Sequence, residues 1–242
     1  MNRTKLTKMF IAATVMAATA SAGYASMMSH TLHALYALAV LALAAGTSRM
    51  KVKLPGIDGN MSMNLPFLLM AVVNLSAMEA IVIAGVSTVV QCWPKADGKF
   101  KPEQMLFNVG MMAFATSAAN LVWNASWWSK AAWVSEPILL ACATAAFLLG
   151  QTMPVACVIK VAEGAPFGRT WVGILQLSFP YFVLSAGLTS MVNLVSHHFG
   201  WEAALLAFPV MFGVYRSYRL YFAKAVEALS APVMTRAASM GA

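Results

Sequence analysis

Long apolar runs alternate with short polar or basic segments along the whole chain. A helix needs about 20 apolar residues to cross a bilayer core of about 30 Å, and most of the runs approach that length. The pattern therefore predicts an all-α fold, a polytopic membrane helical bundle with about eight transmembrane helices. The predicted helices cover about residues 9–27, 32–46, 65–75, 80–93, 105–123, 137–159, 171–195 and 203–221.

The third and fourth runs are short, and the polar break Ser76-Ala77-Met78-Glu79 separates them. A carboxylate is costly in lipid, so we expect either two short helices or a re-entrant pair that folds back at this break. Neither a repeat nor a soluble-domain linker divides the sequence. Residues 1–242 are predicted to form a single integral membrane domain, with a cytoplasmic N-terminus (1–8), a membrane bundle (9–222) and a short cytoplasmic tail (223–242).

Composition and charge agree with this interpretation. The chain is 60% hydrophobic and only 10% charged, whereas soluble globular proteins carry about 25% charged residues. A net charge of +8 in a soluble protein would suggest a nucleic-acid partner. Here the Lys and Arg residues form short clusters between apolar runs, so we expect no nucleic acid and take the charge as a topology signal.

The basic clusters predict the orientation. If the N-terminus lies in the cytoplasm, fifteen of the sixteen Lys and Arg residues fall on that side, with Lys130 as the exception. We therefore expect a multi-pass protein of the inner (cytoplasmic) membrane with both termini cytoplasmic. An alternative stays open, because Arg3 and Lys5 before a small-residue run ending at Ala22 also fit a cleaved signal peptide over residues 1–22.

The segment from Ser48 to Asn64 is the least apolar stretch between the first runs. Basic and apolar residues alternate in it on either side of a turn signal, which predicts a short hairpin or extended loop at the cytoplasmic face. It is either a basic linker that maintains topology or a packed plug or signal-relaying element. The predicted relay residues are Lys51, Lys53, Pro55, Gly56, Asp58, Gly59 and Asn60, together with Arg216 and Arg219 where the last helix leaves the membrane.

Polar side chains inside apolar runs are costly in lipid and are candidates for function. They are Asn74, Glu79, Gln91, Asn108, Asn120, Gln151, Gln176 and Asn193. Of these, we predict ligand binding for Glu79, Asn74, Asn108 and Gln176. The alternatives are that the amides join helices by hydrogen bonds and that Glu79 is a carboxylate on the outer surface.

Evidence for metal or catalytic chemistry is weak. All four histidines fall on the predicted outer side, and His30 with His33 and His197 with His198 form only a weak alternative metal site without a metalloenzyme spacing. The three cysteines have no CxxC spacing. We find no nucleophile motif, phosphate loop or carboxylate pair, so the sequence predicts no cofactor and no enzyme activity.

Several strings suggest a family resemblance. They are SRMKVKLPGIDGNMSMN, VQCWPK followed by KPEQMLFN, LGQTMPVA, LSFPYFVLSAG and FPVMFGVYRSYRLYF. Over about residues 48–222 the chain resembles the multi-span N-terminal membrane sensor regions (MASE-like) of bacterial HD-GYP and GGDEF signalling proteins. The resemblance implies a sensor module, but the chain contains neither output motif, so cyclic-di-GMP turnover is not implied.

Three functions follow as hypotheses. The first is a non-enzymatic membrane sensor or docking module that relays ligand, lipid or partner binding to the cytoplasmic face. The second is a small-solute-binding protein resembling the S-component of an energy-coupling-factor transporter, and the third is a structural subunit of a membrane complex. The expected partners are the lipid bilayer and a cytoplasmic or membrane protein, and a homo-oligomer stays open.

Overall fold

The computed structural model describes residues 3–26, 34–53, 60–94, 100–125 and 135–240. Within these ranges the chain forms eight α-helices and one two-stranded hairpin, so the all-α prediction is confirmed. The elements are α1 (Arg3–Ser26), α2 (Ala34–Ser48), β1 (Lys51–Lys53), β2 (Asn60–Ser62), α3 (Leu65–Asn74), α4 (Ala77–Cys92), α5 (Pro102–Trp123), α6 (Glu136–Glu163), α7 (Phe167–Phe199), a short 3₁₀ turn (Gly200–Glu202) and α8 (Ala203–Met240).

Only part of the eight-span prediction is supported. Four helices are long and apolar enough to cross a bilayer in the described part of the chain: Lys5–Ala25, Pro102–Trp123, Glu136–Glu163 and Phe167–Ser196. In contrast, α2 and α4 have 15 and 16 residues, and α3 has only 10. At 1.5 Å per residue α3 is about 15 Å long, half of what a bilayer core requires.

Local sequence signals explain where the helices begin and end. Pro66, Pro102 and Pro137 lie at first-turn positions, where a missing N–H costs nothing. The break before α4 is a capping box, in which Ser76 and Glu79 bond each other's backbone N–H groups. Helix α6 ends at Gly164, which adopts the left-handed conformation (φ 81°) that glycine tolerates best.

Helix α3 lies at the centre of the bundle, against α2, α4, α5 and α7. Every residue from Leu65 to Val72 is buried. Neighbouring helices bind its backbone: the N–H of Leu65 donates to the Tyr181 hydroxyl (3.1 Å), and Thr189 donates to the carbonyl of Pro66 (3.2 Å). The first of these bonds satisfies an N–H that the start of a short buried helix would otherwise leave unpaired, and the second joins α7 to α3.

The segment between α2 and α3 forms the predicted hairpin. Its strands pair antiparallel, with Lys51 opposite Ser62, Val52 opposite Met61 and Lys53 opposite Asn60. Val52 is 2% exposed, and the Ser62 hydroxyl donates to the carbonyl of Ser48 at the end of α2 (2.9 Å). The hairpin is therefore packed against the bundle.

Two glycines allow close helix packing. A Cβ on Gly150 of α6 would lie 2.9 Å from the Cα of Ala115 on α5, so the two backbones leave no room for a side chain there. A Cβ on Gly110 of α5 would meet the Cα of Val15 on α1 at 3.4 Å. The four long apolar helices thus include three that pack closely side by side: α1, α5 and α6.

Candidate binding cavity

A cavity of about 750 Å³ lies between the hairpin and the bundle. Residues of α1, β2, α3, α4, α5, α6 and α7 line it. Its exposed lining residues include Asn60, Lys101 and Gln104, so the cavity opens at the end of the bundle where α5 begins. The volume falls in the usual range for small-molecule sites, which is roughly 300–1,000 Å³.

Besides Thr7 of α1, six carboxamides and four hydroxyl groups give the cavity its polar lining. They belong to Asn60, Asn64, Gln91, Gln104, Asn108, Gln151, Ser62, Thr88, Ser178 and Tyr181. Their helices bring together positions that are far apart in sequence. A carboxamide both donates and accepts hydrogen bonds, so this lining can bind a polar molecule in many orientations.

Some of these groups already have partners in the fold. Thr88 donates to the carbonyl of Ala84 (2.7 Å), and the Asn64 amide nitrogen donates to the Ser87 hydroxyl (3.4 Å). The Asn108 amide nitrogen donates to the Cys92 thiol sulfur (3.3 Å), a weak acceptor. These bonds position the side chains at the cavity wall.

The side chains of Asn60 and Gln104 are exposed at the mouth, and three further lining groups also have no hydrogen-bond partner among the described residues. They are the carboxamides of Gln91 and Gln151, both partly buried, and the hydroxyl of Ser178, which is 7% exposed. A polar group taken out of bulk water without a partner costs roughly 1–3 kcal/mol. The atoms of these three groups are open to water in the cavity, because the only buried side-chain oxygen or nitrogen without a partner among the described residues is Thr144 Oγ1. Water can therefore satisfy the three groups, and so can a bound molecule.

Apolar residues form the rest of the wall. Val155, Val158 and Ile159 line the cavity from α6. Phe107 and Met111 line it from α5. Deeper in the bundle, Phe147 and Phe182 contact each other with ring centroids 6.2 Å apart. The cavity thus offers both hydrogen-bonding groups and apolar surface.

Charge is confined to the mouth. Among the described lining residues only Lys101 and Glu103 are charged, and both are exposed. Glu103 pairs with Lys8 of α1 at 3.2 Å, with both side chains more than 60% exposed. An ion pair in so much water contributes little stability, although it joins α1 to α5 beside the opening.

The predicted ligand-binding residues do not come together. Asn108 lines the cavity. Asn74 donates instead to the Tyr36 hydroxyl (3.1 Å), and Glu79 accepts from the Ser76 N–H (3.0 Å) in the capping box. Gln176 lines a separate cavity of about 420 Å³ between α7 and α8. The structure thus gives Asn74 a partner on α2 and Glu79 a partner within its own capping box, and it groups Asn108 with other amides.

The predicted relay residues are also separated. Lys51 and Lys53 lie on β1, and Asn60 begins β2 and lines the cavity. Arg216 and Arg219 are exposed on α8. Pro55, Gly56, Asp58 and Gly59 lie outside the described residues. Of the relay residues that the structure describes, Asn60 alone lines this cavity.

The structure does not describe the side chains of the four histidines in the alternative metal site. His30 and His33 precede α2 outside the described residues, and His197 and His198 belong to α7 by their backbone only. Among the described residues no group of three His, Cys, Asp or Glu side chains is placed to bind a metal. Cys92, Cys142 and Cys157 are free thiols.

Sequence reasoning singled out Gln91 and Gln151 as intramembrane amides but did not assign them to a site. It missed Asn64, Ser178 and Tyr181 altogether. The available signal was the cost of a carboxamide in an apolar run, which applies equally to an amide that joins two helices. No sequence feature distinguishes those two cases.

Comparison with known proteins adds no relative from which to transfer a role. The resemblance to MASE-like sensor regions stays a prediction from the quoted strings. No protein-family model, no curated protein sequence and no solved structure matches the chain.

Proposed function

We propose that this protein is a non-enzymatic integral membrane module that binds a small solute in the amide-lined cavity and relays binding through the hairpin to the cytoplasmic face. The observation that carries the proposal is the set of unpartnered groups at Gln91, Gln151 and Ser178 inside the cavity. These groups are open to the cavity and free to bind a solute in place of water. Amides that only join helices would be bonded to each other or to the backbone.

The proposed membrane arrangement keeps eight crossings, of which the third is a half-helix enclosed by protein. Two contacts support the alternating directions: Lys8 near the start of α1 pairs with Glu103 near the start of α5, and Arg49 after α2 donates to the Trp93 carbonyl after α4 (3.3 Å). Helices α1 and α5 therefore begin at the same end. Irregular backbone at membrane depth is tolerated where protein encloses it, which suits the hairpin and α3.

The hairpin is the proposed relay because it lines the cavity and is also bonded, directly or through the adjacent Arg49, to the ends of two helices. Asn60, Met61 and Ser62 of β2 line the cavity. Ser62 bonds to the end of α2, and Arg49 beside the hairpin bonds to the carbonyls of Val90 and Trp93 at the end of α4. A solute that contacts β2 therefore acts on an element linked to two helix ends, and its differential contacts can shift their positions.

Native mass spectrometry tests the binding. The protein is purified in mild detergent from the membranes of its own host, and the expected spectrum contains a complex with a small molecule. The double variant Gln91→Leu with Gln151→Leu removes both unpartnered amides at nearly constant size and is expected to lose that complex. The control Asn193→Leu removes an amide outside the cavity and is expected to retain it. A wild-type protein that is empty, together with no stabilisation by any solute tested, would reject the proposal.

A second candidate is the solute-uptake component, which also requires a solute cavity, although this cavity opens at the end of the bundle proposed to be cytoplasmic. The side of access separates the two candidates, because an uptake component takes its solute from outside. In a variant whose Cys92, Cys142 and Cys157 are replaced by Ala, Gln151→Cys is introduced and exposed to a membrane-impermeant thiol reagent. Labelling only in inside-out vesicles supports the sensor module, and labelling only in right-side-out cells supports uptake.

A further inference from the structure

We infer that the solute is an uncharged small molecule that carries a neighbouring hydrogen-bond donor and acceptor, as in an amide, lactam or urea group. The inference rests on the proposed function and concerns the chemical class of ligand at the same cavity. It follows from the charges that the cavity lacks, the backbone groups that are already bonded, and the side chains that remain free.

The interior contains no counter-charge among its described residues. Lys101 and Glu103 are at the exposed mouth, and Glu103 is paired with Lys8. An ionised ligand at the depth of Gln151 would lose hydration without gaining an opposite charge. That loss costs several kcal/mol per ion, which an uncharged ligand avoids.

The N-terminus of α3 offers no substitute anion site. Pro66 has no N–H, and the N–H of Leu65 is bonded to the Tyr181 hydroxyl. The N–H groups of Phe67 and Leu68 both donate to the Asn64 carbonyl (3.2 Å each). A helix start attracts an anion through free N–H groups, and here all of those in the first turn have partners.

The free groups match a donor–acceptor pair. Gln91 and Gln151 each present a carbonyl oxygen and an NH₂, and Ser178 adds a hydroxyl that can do either. An amide-type ligand can donate to the carbonyl oxygen of a glutamine and accept from its NH₂ group. A ligand that has only acceptors would leave the glutamine carbonyl oxygen without a donor. Val155 and Val158 supply an apolar surface for the remainder of the molecule.

Matched neutral and charged probes test the class. Nicotinamide and nicotinate differ in an amide against a carboxylate at nearly equal size, and uridine and its monophosphate differ in a charged group. Binding is measured by isothermal titration and thermal shift on the detergent-solubilised full chain. We expect at least one neutral probe to bind about tenfold or more tightly than its charged partner, which corresponds to 1.4 kcal/mol. Gln151→Leu is expected to weaken that neutral probe about tenfold, with Asn193→Leu as the unchanged control.

The ligand released from the native protein gives a second readout, identified by mass spectrometry of a solvent extract. An uncharged amide, lactam or urea compound supports the inference even if no probe binds. A released compound that is charged at pH 7, or that lacks a donor–acceptor pair, overturns the ligand class but leaves the proposed function standing, as does tighter binding of a charged probe. If nothing is released and no probe binds, both the class and the proposed function fail.

Discussion

The hydroxyl of Tyr181 on α7 accepts a hydrogen bond from the backbone N–H of Leu65 at the start of α3, over 3.1 Å. Tyr181 is 2% exposed and also lines the cavity. A side chain in the middle of one helix thus caps another helix 116 residues away in sequence. This contact links the stability of the central half-helix to the wall of the cavity.

Tyr181→Phe tests this cap. The variant keeps the ring but leaves the buried N–H of Leu65 without its acceptor, which costs about 1–3 kcal/mol. Chemical unfolding in detergent should show a lower free energy of unfolding by that amount. Tyr221→Phe removes a hydroxyl from a side chain that is 70% exposed and serves as the control, with little expected change. Equal effects of the two variants would contradict the assigned cap.

Ser76→Ala tests the capping box of α4. The Ser76 hydroxyl accepts from the Glu79 N–H (3.3 Å) and donates to the Glu79 carboxylate (2.7 Å), and both bonds are lost with it. The expected destabilisation is about 0.5–2 kcal/mol by thermal unfolding. Ser135→Ala is a matched control, because Ser135 precedes α6 without a side-chain cap bond. If Ser135→Ala destabilises as much as Ser76→Ala, the capping box is not what stabilises α4.

Gly150→Ala tests the close approach of α5 and α6. The added Cβ would lie 2.9 Å from a backbone atom of Ala115, so one helix must shift. Overpacking of this kind costs about 1–3 kcal/mol and should lower the unfolding temperature. Gly187→Ala on α7 meets nothing within 4 Å and should be neutral or stabilising by up to about 1 kcal/mol. A stabilising Gly150→Ala would show that the helices are farther apart.

Hydrogen–deuterium exchange tests the relay. Because Asn60 and Ser62 line the cavity, a bound solute should slow exchange in Lys51–Lys53 and Asn60–Ser62 relative to the Gln91→Leu, Gln151→Leu double variant. The start of α6 around Leu140 and Ala143, which are buried and do not line the cavity, serves as the internal reference and should exchange equally in both proteins. Slower exchange elsewhere without any change in the hairpin would reject the hairpin as the relay.

The sequence by itself determined the helical architecture and most helix boundaries. Apolar runs specified the helices, because unpaired backbone groups are too costly in lipid. The predicted start of the sixth helix at Pro137 agrees with the first turn of α6. The alternation around Val52 and the turn signal after it predicted the hairpin. These are local features, and each depends on neighbours within a few residues.

Only the tertiary structure decided which apolar run faces protein and which polar groups meet. Helix α3 is enclosed by four helices, whereas α2, which is nearly as apolar, leaves Leu35 and Leu38 exposed. Lipid tails and a protein core are equally apolar, so hydrophobicity does not separate a buried half-helix from a lipid-facing one. Gln91 and Gln151 likewise share one cavity only because α4, α5 and α6 pack side by side, with Gly150 against Ala115.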